Sequence, residues 1–373
     1  MPRLEEYQGK RLLADHGIRV PKGGPAQTAA EAKKIAAEAG GPVVVKAQVG
    51  TTGRKSLGGI RFAEAPDEAA GVADEILSTE VNNLRVSTVL VEQRVPIEHE
   101  YYASIVVNDS HLIKGPILMV SNVGGTGIEE VAATSPDNVR TIRIDILEGL
   151  DTAQVRQAFL DMGEQAETAD KLSEAIQQLY SLFREYGARS TEINPLVLTK
   201  DGQIYALDCR IVLDEGAIAR HPELGIDFPR DVGREPTPLE RVAWEVEKED
   251  FRGTGYFVQM ALDCKPADRC IGFMGLGGGG AMLSADALIQ QRLRLADYAD
   301  TSGNPPASKV YRITKIILAQ PNINGYAVMG PNIANQEQWH TAHGLLRALR
   351  EDLPRRPGFP VVIFMAGNKE AES

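Results

Sequence analysis

Three oxygen-bearing side chains near the middle of the chain have the types and spacing of a metal site. Glu192 and Asn194 lie two residues apart in an alternating apolar stretch, so both side chains leave one face of the predicted strand. An Asp-Gly turn then predicts a hairpin that brings Asp208 back to the same height. The hairpin consists of a strand over 193–198, a turn over 200–202 and a return strand over 204–207. Oxygen ligands of this kind suit Mg²⁺ with room left for phosphates, although a solvated hairpin edge is the alternative.

A lysine inside a buried type of strand is the second candidate. Lys46 interrupts the apolar run over 43–49, and an ammonium group there is costly unless it meets an anion. The strand leads into a glycine-rich loop with Gly53, Arg54 and Lys55, and a return strand follows. Lysine strand, basic loop and return strand together resemble a lid over a triphosphate. An ordinary surface hairpin loop is the alternative.

A glycine-rich turn late in the chain is the third candidate. A predicted strand over 268–275 runs into the turn Leu276-Gly277-Gly278-Gly279-Gly280, and a predicted helix follows over 281–291. Free amides and the helix dipole at such a helix start favour a negative group. The alternative is a tight strand–helix connection that needs a close backbone approach.

Composition limits the kinds of protein to consider. The 373 residues predict two or three domains, and 43% hydrophobic with 24% charged residues is typical of a soluble α/β protein. A net charge of −11 argues against a nucleic-acid partner. The charged start without an apolar segment leads us to expect no secretory signal, and no uncharged apolar run reaches the length of a membrane span. The three cysteines match no metal-ligand spacing, and their odd number predicts reduced thiols and a cytoplasmic location.

The order of these elements predicts an ATP-grasp domain. Cations come early, on a strand and a basic loop, and the oxygen ligands come late, on the hairpin. A further strand, 86–92, ends at Glu92, where an adenine or a ribose could be held. The proline-rich stretch over 215–240 predicts a linker. The histidines are neither spaced nor placed as a metal site.

Several motifs, spread in order over nearly the whole chain, resemble the β subunit of succinyl-CoA synthetase and, more broadly, the ADP-forming acid–CoA ligases. They are Glu6-Tyr7-Gln8-Gly9-Lys10, Val44-Val45-Lys46-Ala47-Gln48, Leu90-Val91-Glu92, Glu192-Ile193-Asn194-Pro195-Leu196-Val197 and Leu207-Asp208. The resemblance implies an α/β chain with an ATP-grasp domain over 1–235 and a flavodoxin-like, Rossmann-type CoA-ligase domain over 236–373. It also implies an α subunit that binds CoA and carries a phosphorylatable histidine, in a heterodimer or heterotetramer.

The resemblance implies roles for individual residues. Asn194 and Asp208 match the Mg²⁺ ligands, and Glu192 matches a catalytic acidic residue near the phosphohistidine. Residues expected at the nucleotide are Lys46, Gly53, Arg54, Lys55, Glu92 on the adenosine side, Val95 lining the pocket, and Glu100 close to the phosphates. One departure is visible, because the family's Gly-Arg-Gly-Lys loop reads Gly53-Arg54-Lys55-Ser56 here. The positive charge of the family's lysine is kept here by Lys55, one position earlier in the loop.

The second domain departs further from the family. Leu276 stands where the family has an asparagine that holds the substrate, and Gly277, Gly278 and Gly279 follow at the position that faces the phosphohistidine. The family's acid-binding loop is replaced by a segment that includes Asn332 and Ile333. A second glycine-rich segment of the family is replaced in this chain by residues 301–308. We also expect the domain to be shortened at its C-terminus, where the family continues for another helix, strand and helix.

These observations predict the nucleotide-binding β subunit of an ADP- or GDP-forming ligase that joins CoA to a small carboxylic acid other than succinate. A site that has lost hydrogen-bond partners rejects its old substrate strongly. Two alternatives stay open: an ATP-grasp carboxylate–amine ligase, and a regulatory or assembly subunit without an acid site. The residues do not distinguish ATP from GTP or an αβ from an α₂β₂ assembly.

Overall fold

The computed structural model describes residues 2–49, 54, 57–81, 84–125, 127–226, 234, 236–332 and 337–366. The chain divides into two compact units, Met1–Arg234 and Glu235–Ser373. Within the described ranges, none of the helices has the length and apolar character needed to span a membrane.

The first unit contains helices and strands in mixed order. Its helices are α1 (Glu6–Asp15), α2 (Ala29–Ala39), α3 (Pro66–Leu77), α4 (Ile128–Thr134), α5 (Thr152–Asp161), α6 (Ala166–Glu185) and α7 (Glu215–Ile218). Its strands are β1 (Gly23–Ala26), β2 (Val43–Ala47), β3 (Ile60–Ala63), β4 (Glu80–Val81), β5 (Leu84–Arg85), β6 (Val89–Gln93), β7 (Ile97–Asn108), β8 (Gly115–Ser121), β9 (Val139–Arg143), β10 (Ala188–Thr199), β11 (Ile204–Ala206) and β12 (Cys209–Leu213).

Two antiparallel sheets organise this unit. The smaller has the strand order β1-β6-β2-β3, and its core consists largely of alanine and valine side chains from the sheet and from α2 and α3. The larger has the order β11-β10-β7-β8-β9, with β12 also paired to β10. The amphipathic helices α1, α5 and α6 supply leucine, isoleucine and phenylalanine side chains to its core.

Local sequence explains where α2 begins and ends. The Thr28 hydroxyl accepts a hydrogen bond from the backbone N–H of Glu31, which caps the helix start. Gly40, with φ +77°, adopts the left-handed conformation that ends it. The helix buries Ala32, Ala36 and Ala39, whose small side chains allow a close approach to its neighbours.

The second unit is a parallel sheet with helices on both faces. Its helices are α8 (Pro238–Glu249), α9 (Gly278–Gln290), α10 (Ala307–Leu318) and α11 (Gln338–Asp352). Its strands are β13 (Tyr256–Gln259), β14 (Cys270–Gly275), β15 (Arg294–Leu295), β16 (Asp297–Asp300), β17 (Gly325–Asn332) and β18 (Val361–Ala366). The strand order is β13-β16-β14-β17-β18, antiparallel only at the β13 edge, and β15 pairs with β14. Crossover helices bury the inner strands of such a sheet, whereas Val362, Ile363 and Phe364 on the edge strand β18 are exposed.

Candidate functional site

The hairpin that carries the candidate metal ligands is formed by β10 and the β11–β12 segment, as the sequence predicts. Leu196, Val197 and Leu198 pair with Ala206, Tyr205 and Ile204. The return strand is interrupted at Leu207-Asp208, opposite the cis peptide between Asn194 and Pro195.

Asn194 and Asp208 lie directly across this hairpin from each other. The backbone N–H of Asn194 donates to the carbonyl oxygen of Asp208 at 3.1 Å, and two residues further along the ladder Glu192 pairs with Arg210. Opposite residues of an antiparallel pair share a face, so all four side chains leave the same side of the sheet. The Asn194 Oδ1 accepts the backbone N–H of Gly125 at 2.8 Å.

Three carboxylates, one of them Asp208, and three cations meet here from five separate segments of the chain. We call them the charge cluster: Glu6, Lys10, Lys46, Arg54, Glu92 and Asp208. Both lysines and both glutamates are almost completely buried. Buried charges of this kind are tolerated only when they are paired and hydrogen-bonded.

Lys46, on β2, is paired on both sides. Its ammonium group lies 2.8 Å from Glu6 Oε1 and 2.6 Å from Glu92 Oε1, and it donates to the carbonyl oxygen of Leu207 at 2.6 Å. The anion that a lysine in this strand requires is therefore supplied by two carboxylates of the same chain. Since the Glu92 carboxylate binds lysines, it is not a free acceptor for a ribose hydroxyl in this arrangement.

Lys10, on α1, duplicates these contacts. Its ammonium group contacts Glu92 Oε2, lies 3.1 Å from Glu6 Oε1 and donates to the Leu207 carbonyl oxygen at 2.7 Å. Neither Glu6 nor Lys10 is among the site residues that the sequence predicts. A signal was present, because both residues fall on the same helical stripe as Gly9 and Leu13, which are buried.

Arg54 links the basic loop to the hairpin. Its Nη2 lies 3.0 and 2.8 Å from the two carboxylate oxygens of Asp208 and 2.8 Å from Glu6 Oε2. Its Nη1 donates to the Ala47 carbonyl oxygen at 3.0 Å. The guanidinium group of Arg54 therefore occupies the place on the Asp208 carboxylate where a metal ion would bind.

Electrostatics fixes the charges in the cluster. Burial alone would raise the pKa of Glu6, but Lys46, Lys10 and Arg54 outweigh it and hold that pKa well below its ordinary value. Burial would lower the pKa of Lys46, yet Glu6 and Glu92 raise it above the usual range. Burial and the charge of Glu6 raise the pKa of Asp208, against the opposing effect of Arg54.

Asn194 and Asp208 fit a magnesium ion. They present an amide and a carboxylate oxygen from adjacent positions of one sheet face, and the guanidinium at Asp208 is a positive group standing in for a cation. Mg²⁺ takes oxygen ligands and completes its shell with water and phosphates.

Gly125 contacts Asn194 of the candidate metal site, and Glu100 lies against Gly125. A Cβ built on Gly125 would lie 2.1 Å from Glu100 Oε2, and the residue has φ +74°. Only glycine therefore allows this loop to cover the carboxylate while its N–H binds Asn194. Val95 and Glu192 are half-buried. Gly53 and Lys55 lie outside the described residues.

In the second unit the structure corrects one prediction. Leu276 is fully buried in the hydrophobic core, so its side chain does not face a ligand, because an apolar side chain is more stable away from water. Gly278 and Gly279 are exposed at the start of α9, with no atom within 4 Å of a Cβ built on either. The N–H of Gly277 donates to Asp300 Oδ1 at 3.1 Å. Asn332 ends β17, where it pairs with Ala366, and Ile333 lies outside the described residues.

The cysteines differ from expectation. Cys264 and Cys270 form a disulfide, whereas the sequence predicts reduced thiols. Cys209 is free and buried, and burial raises the pKa of its thiol well above the usual value.

Residues 3–198 match the model of an ATP-grasp domain family. The succinate–CoA ligase [GDP-forming] subunit beta of Thermus thermophilus is 36% identical over 371 residues, which cover 99% of this chain and 92% of that protein. The succinate–CoA ligase [ADP-forming] subunit beta of Rubrobacter xylanophilus is 35% identical over 374 residues, with coverages of 99% and 90%.

A solved structure resembles the whole chain in fold. ATP citrate lyase from Methanothrix soehngenii, in complex with citrate and coenzyme A, superimposes with a TM-score of 0.78 at 24% identity. The match covers 99% of this chain and 91% of that chain.

Proposed function

The chain belongs to the family of succinate–CoA ligase β subunits, which are acid–thiol ligases with an ATP-grasp domain, and on that premise we propose that it binds a magnesium nucleotide in its first unit. We further propose that it exchanges phosphate with a histidine of a partner α subunit, which also holds CoA. The observation that carries the proposal is the meeting of Lys46 and Arg54 at Glu6. Arg54 also contacts Asp208, which lies across the hairpin from Asn194.

The residues proposed to bind the nucleotide and those proposed to bind the metal have different roles. Lys46 and Arg54 turn from their carboxylate partners to phosphate oxygens, where positive groups stabilise charge during transfer. Asn194 and Asp208 hold the metal, which when bound neutralises charge on the phosphates. Val95 and Glu100 are proposed to line the nucleotide side, and Gly53 and Lys55 are proposed to bind the nucleotide as well.

Glu192 is proposed to act on the partner's histidine. Its position two residues before Asn194, on the same strand face, puts a carboxylate beside the proposed metal ligand. A carboxylate there orients an imidazole ring and stabilises its protonated form, so that a ring nitrogen is aimed at the phosphate.

The second unit is proposed to present the amides of Gly278 and Gly279, at the start of α9, to the phosphorylated histidine.

The acid is proposed to be other than succinate. The buried Leu276 offers no polar group at the position where the family has asparagine. The names of the curated relatives make succinate the competing candidate, and a panel of acids assayed with the partner subunit decides between them.

Nucleotide binding is the first test. ATP with Mg²⁺ at 100 times the dissociation constant stabilises a protein by about 2.7 kcal/mol, so a shift of several degrees in the unfolding temperature is expected. The shift should be much smaller without Mg²⁺ and should be lost in Lys46→Met. Lys34→Met on the exposed side of α2 is the matched control. Absence of a shift with both ATP and GTP would overturn the proposal.

A further inference from the structure

Lys10 is a charged side chain that the proposed chemistry does not use. It lies on α1 with 4% of its surface exposed, so it is poorly placed to reach a bound ligand. A capping box between Glu5 and Gln8 stabilises the start of helix α1. A hydrogen bond from the Tyr7 N–H to Gln48 Oε1 at 3.2 Å links the helix to the segment after β2.

The charge cluster is balanced before any ligand binds. Its three carboxylates, on Glu6, Glu92 and Asp208, are matched by three cations. Two of these cations, Lys46 and Arg54, are the ones assigned to phosphates in the proposed function. When both turn to a nucleotide, Glu6 and Glu92 lose partners in a site that is almost fully buried. An uncompensated buried carboxylate is strongly unfavourable.

Lys10 is bound to the same acceptors as Lys46. Glu6 Oε1, the Glu92 carboxylate and the Leu207 carbonyl oxygen each contact both ammonium groups. If Lys46 leaves, each of these acceptors therefore keeps one ammonium partner.

We propose that Lys10 is a positioning residue for nucleotide binding, the resident counter-ion that frees Lys46 for the phosphates. This inference rests on the proposed function. Without Lys10, Lys46 is the only lysine among the described residues that pairs with Glu6 and Glu92. Each contact of Lys46 to a phosphate then competes with two buried carboxylates. Lys10 also holds the Leu207 carbonyl, which directly precedes Asp208, so it keeps that part of the hairpin in place when Lys46 moves.

The test compares three proteins by calorimetric titration with ATP and with AMP in the presence of Mg²⁺. They are the wild type, Lys10→Met, and Lys10→Met combined with Glu6→Gln, which removes one cation and one carboxylate together. Lys33→Met, on the exposed face of α2, is the surface control. Unfolding curves recorded for each protein establish that it is folded.

Lys10→Met is expected to weaken ATP binding at least tenfold and AMP binding less than threefold, because the effect acts through contacts to the β- and γ-phosphates, which AMP lacks. The double variant is expected to recover most of the lost ATP affinity. Unchanged ATP affinity in Lys10→Met, equal losses for ATP and AMP, or no recovery in a folded double variant would each overturn the inference. If the wild type itself binds no nucleotide, the proposed function fails, and the inference fails with it.

Discussion

The Nη2 of Arg54 contacts both carboxylate oxygens of Asp208, at 3.0 and 2.8 Å, where a metal ligand is expected. Arg54 is largely buried, whereas 31% of the Asp208 side chain is exposed. A divalent cation that binds Asp208 must therefore exchange with the guanidinium. A bound nucleotide offers phosphate oxygens to the displaced arginine, so metal and nucleotide binding are expected to be coupled.

Replacing Arg54 should separate the two binding events. Arg54→Gln leaves Asp208 and Glu6 with less positive charge, so Mn²⁺ is expected to bind roughly tenfold more tightly without nucleotide, which corresponds to about 1.4 kcal/mol. ATP binding should weaken in the same protein. Spectroscopic titration of free Mn²⁺ measures the first effect, and Arg61→Gln, in an exposed ion pair with Glu75, is the control. No gain in Mn²⁺ affinity would contradict the exchange.

Glu192 should matter for transfer and not for binding. Glu192→Gln removes the charge beside the partner's histidine but leaves the charge cluster intact, so ATP affinity should change less than twofold. Phosphate transfer to the partner should fall by about 10²-fold or more. Glu98→Gln, at an exposed position on β7, is the control. Equal losses in binding and in transfer would assign Glu192 to the nucleotide instead.

A buried carboxyl group should make the second unit less stable at alkaline pH. Asp297 Oδ1 accepts hydrogen bonds from the Phe273 N–H and from Gln320 Nε2, while Oδ2 has no partner among the described residues. Burial raises the pKa of Asp297 from 3.8 to about 8. Between those values the folded state binds more protons than the unfolded state, so stability falls as pH rises and levels off above about pH 8.

Asp297→Asn imitates the protonated acid and should remove this dependence. Its advantage over the wild type should grow between pH 5 and pH 8, by up to about 1.4 kcal/mol per pH unit. Denaturant unfolding at three pH values measures it, with the exposed Asp286→Asn as control. An advantage that stays constant with pH would argue against a protonated Asp297.

The disulfide predicts a thiol count. The chain has three cysteines, so thiol titration of the unfolded, unreduced protein should find one thiol, and reduction should raise the count to three. Cys264→Ser should give two thiols without reduction, because its partner Cys270 is released. Three thiols in the unreduced wild type would contradict the pairing.

Local patterns predicted much of the first unit. The hairpin follows from its alternating residues and its Asp-Gly turn, and the position of Asp208 across from Asn194 is confirmed. The resemblance to the family and the α/β fold are confirmed as well. What the sequence could not supply was the identity of the anion next to Lys46. Glu6 lies 40 residues away along the chain, and only the tertiary fold makes them neighbours.

Two further differences have local causes. The family motif predicted that Leu276 lies at the glycine turn, but it did not indicate the direction of the side chain. In the structure the Leu276 side chain packs into the hydrophobic core. Cys264 and Cys270, six residues apart, lie on either side of a turn whose geometry brings them together. Neither their spacing nor the odd cysteine count predicts that turn.

Phosphoryl transfer in the complex with the partner subunit tests the central proposal most directly. The two chains are purified together and given γ-labelled ATP with Mg²⁺, and the partner is examined for acid-labile, base-stable label. We expect label on the partner with the wild type and almost none with Asp208→Asn, while the control Asp214→Asn labels normally. A partner that stays unlabelled while ATP binds to this chain would contradict the account.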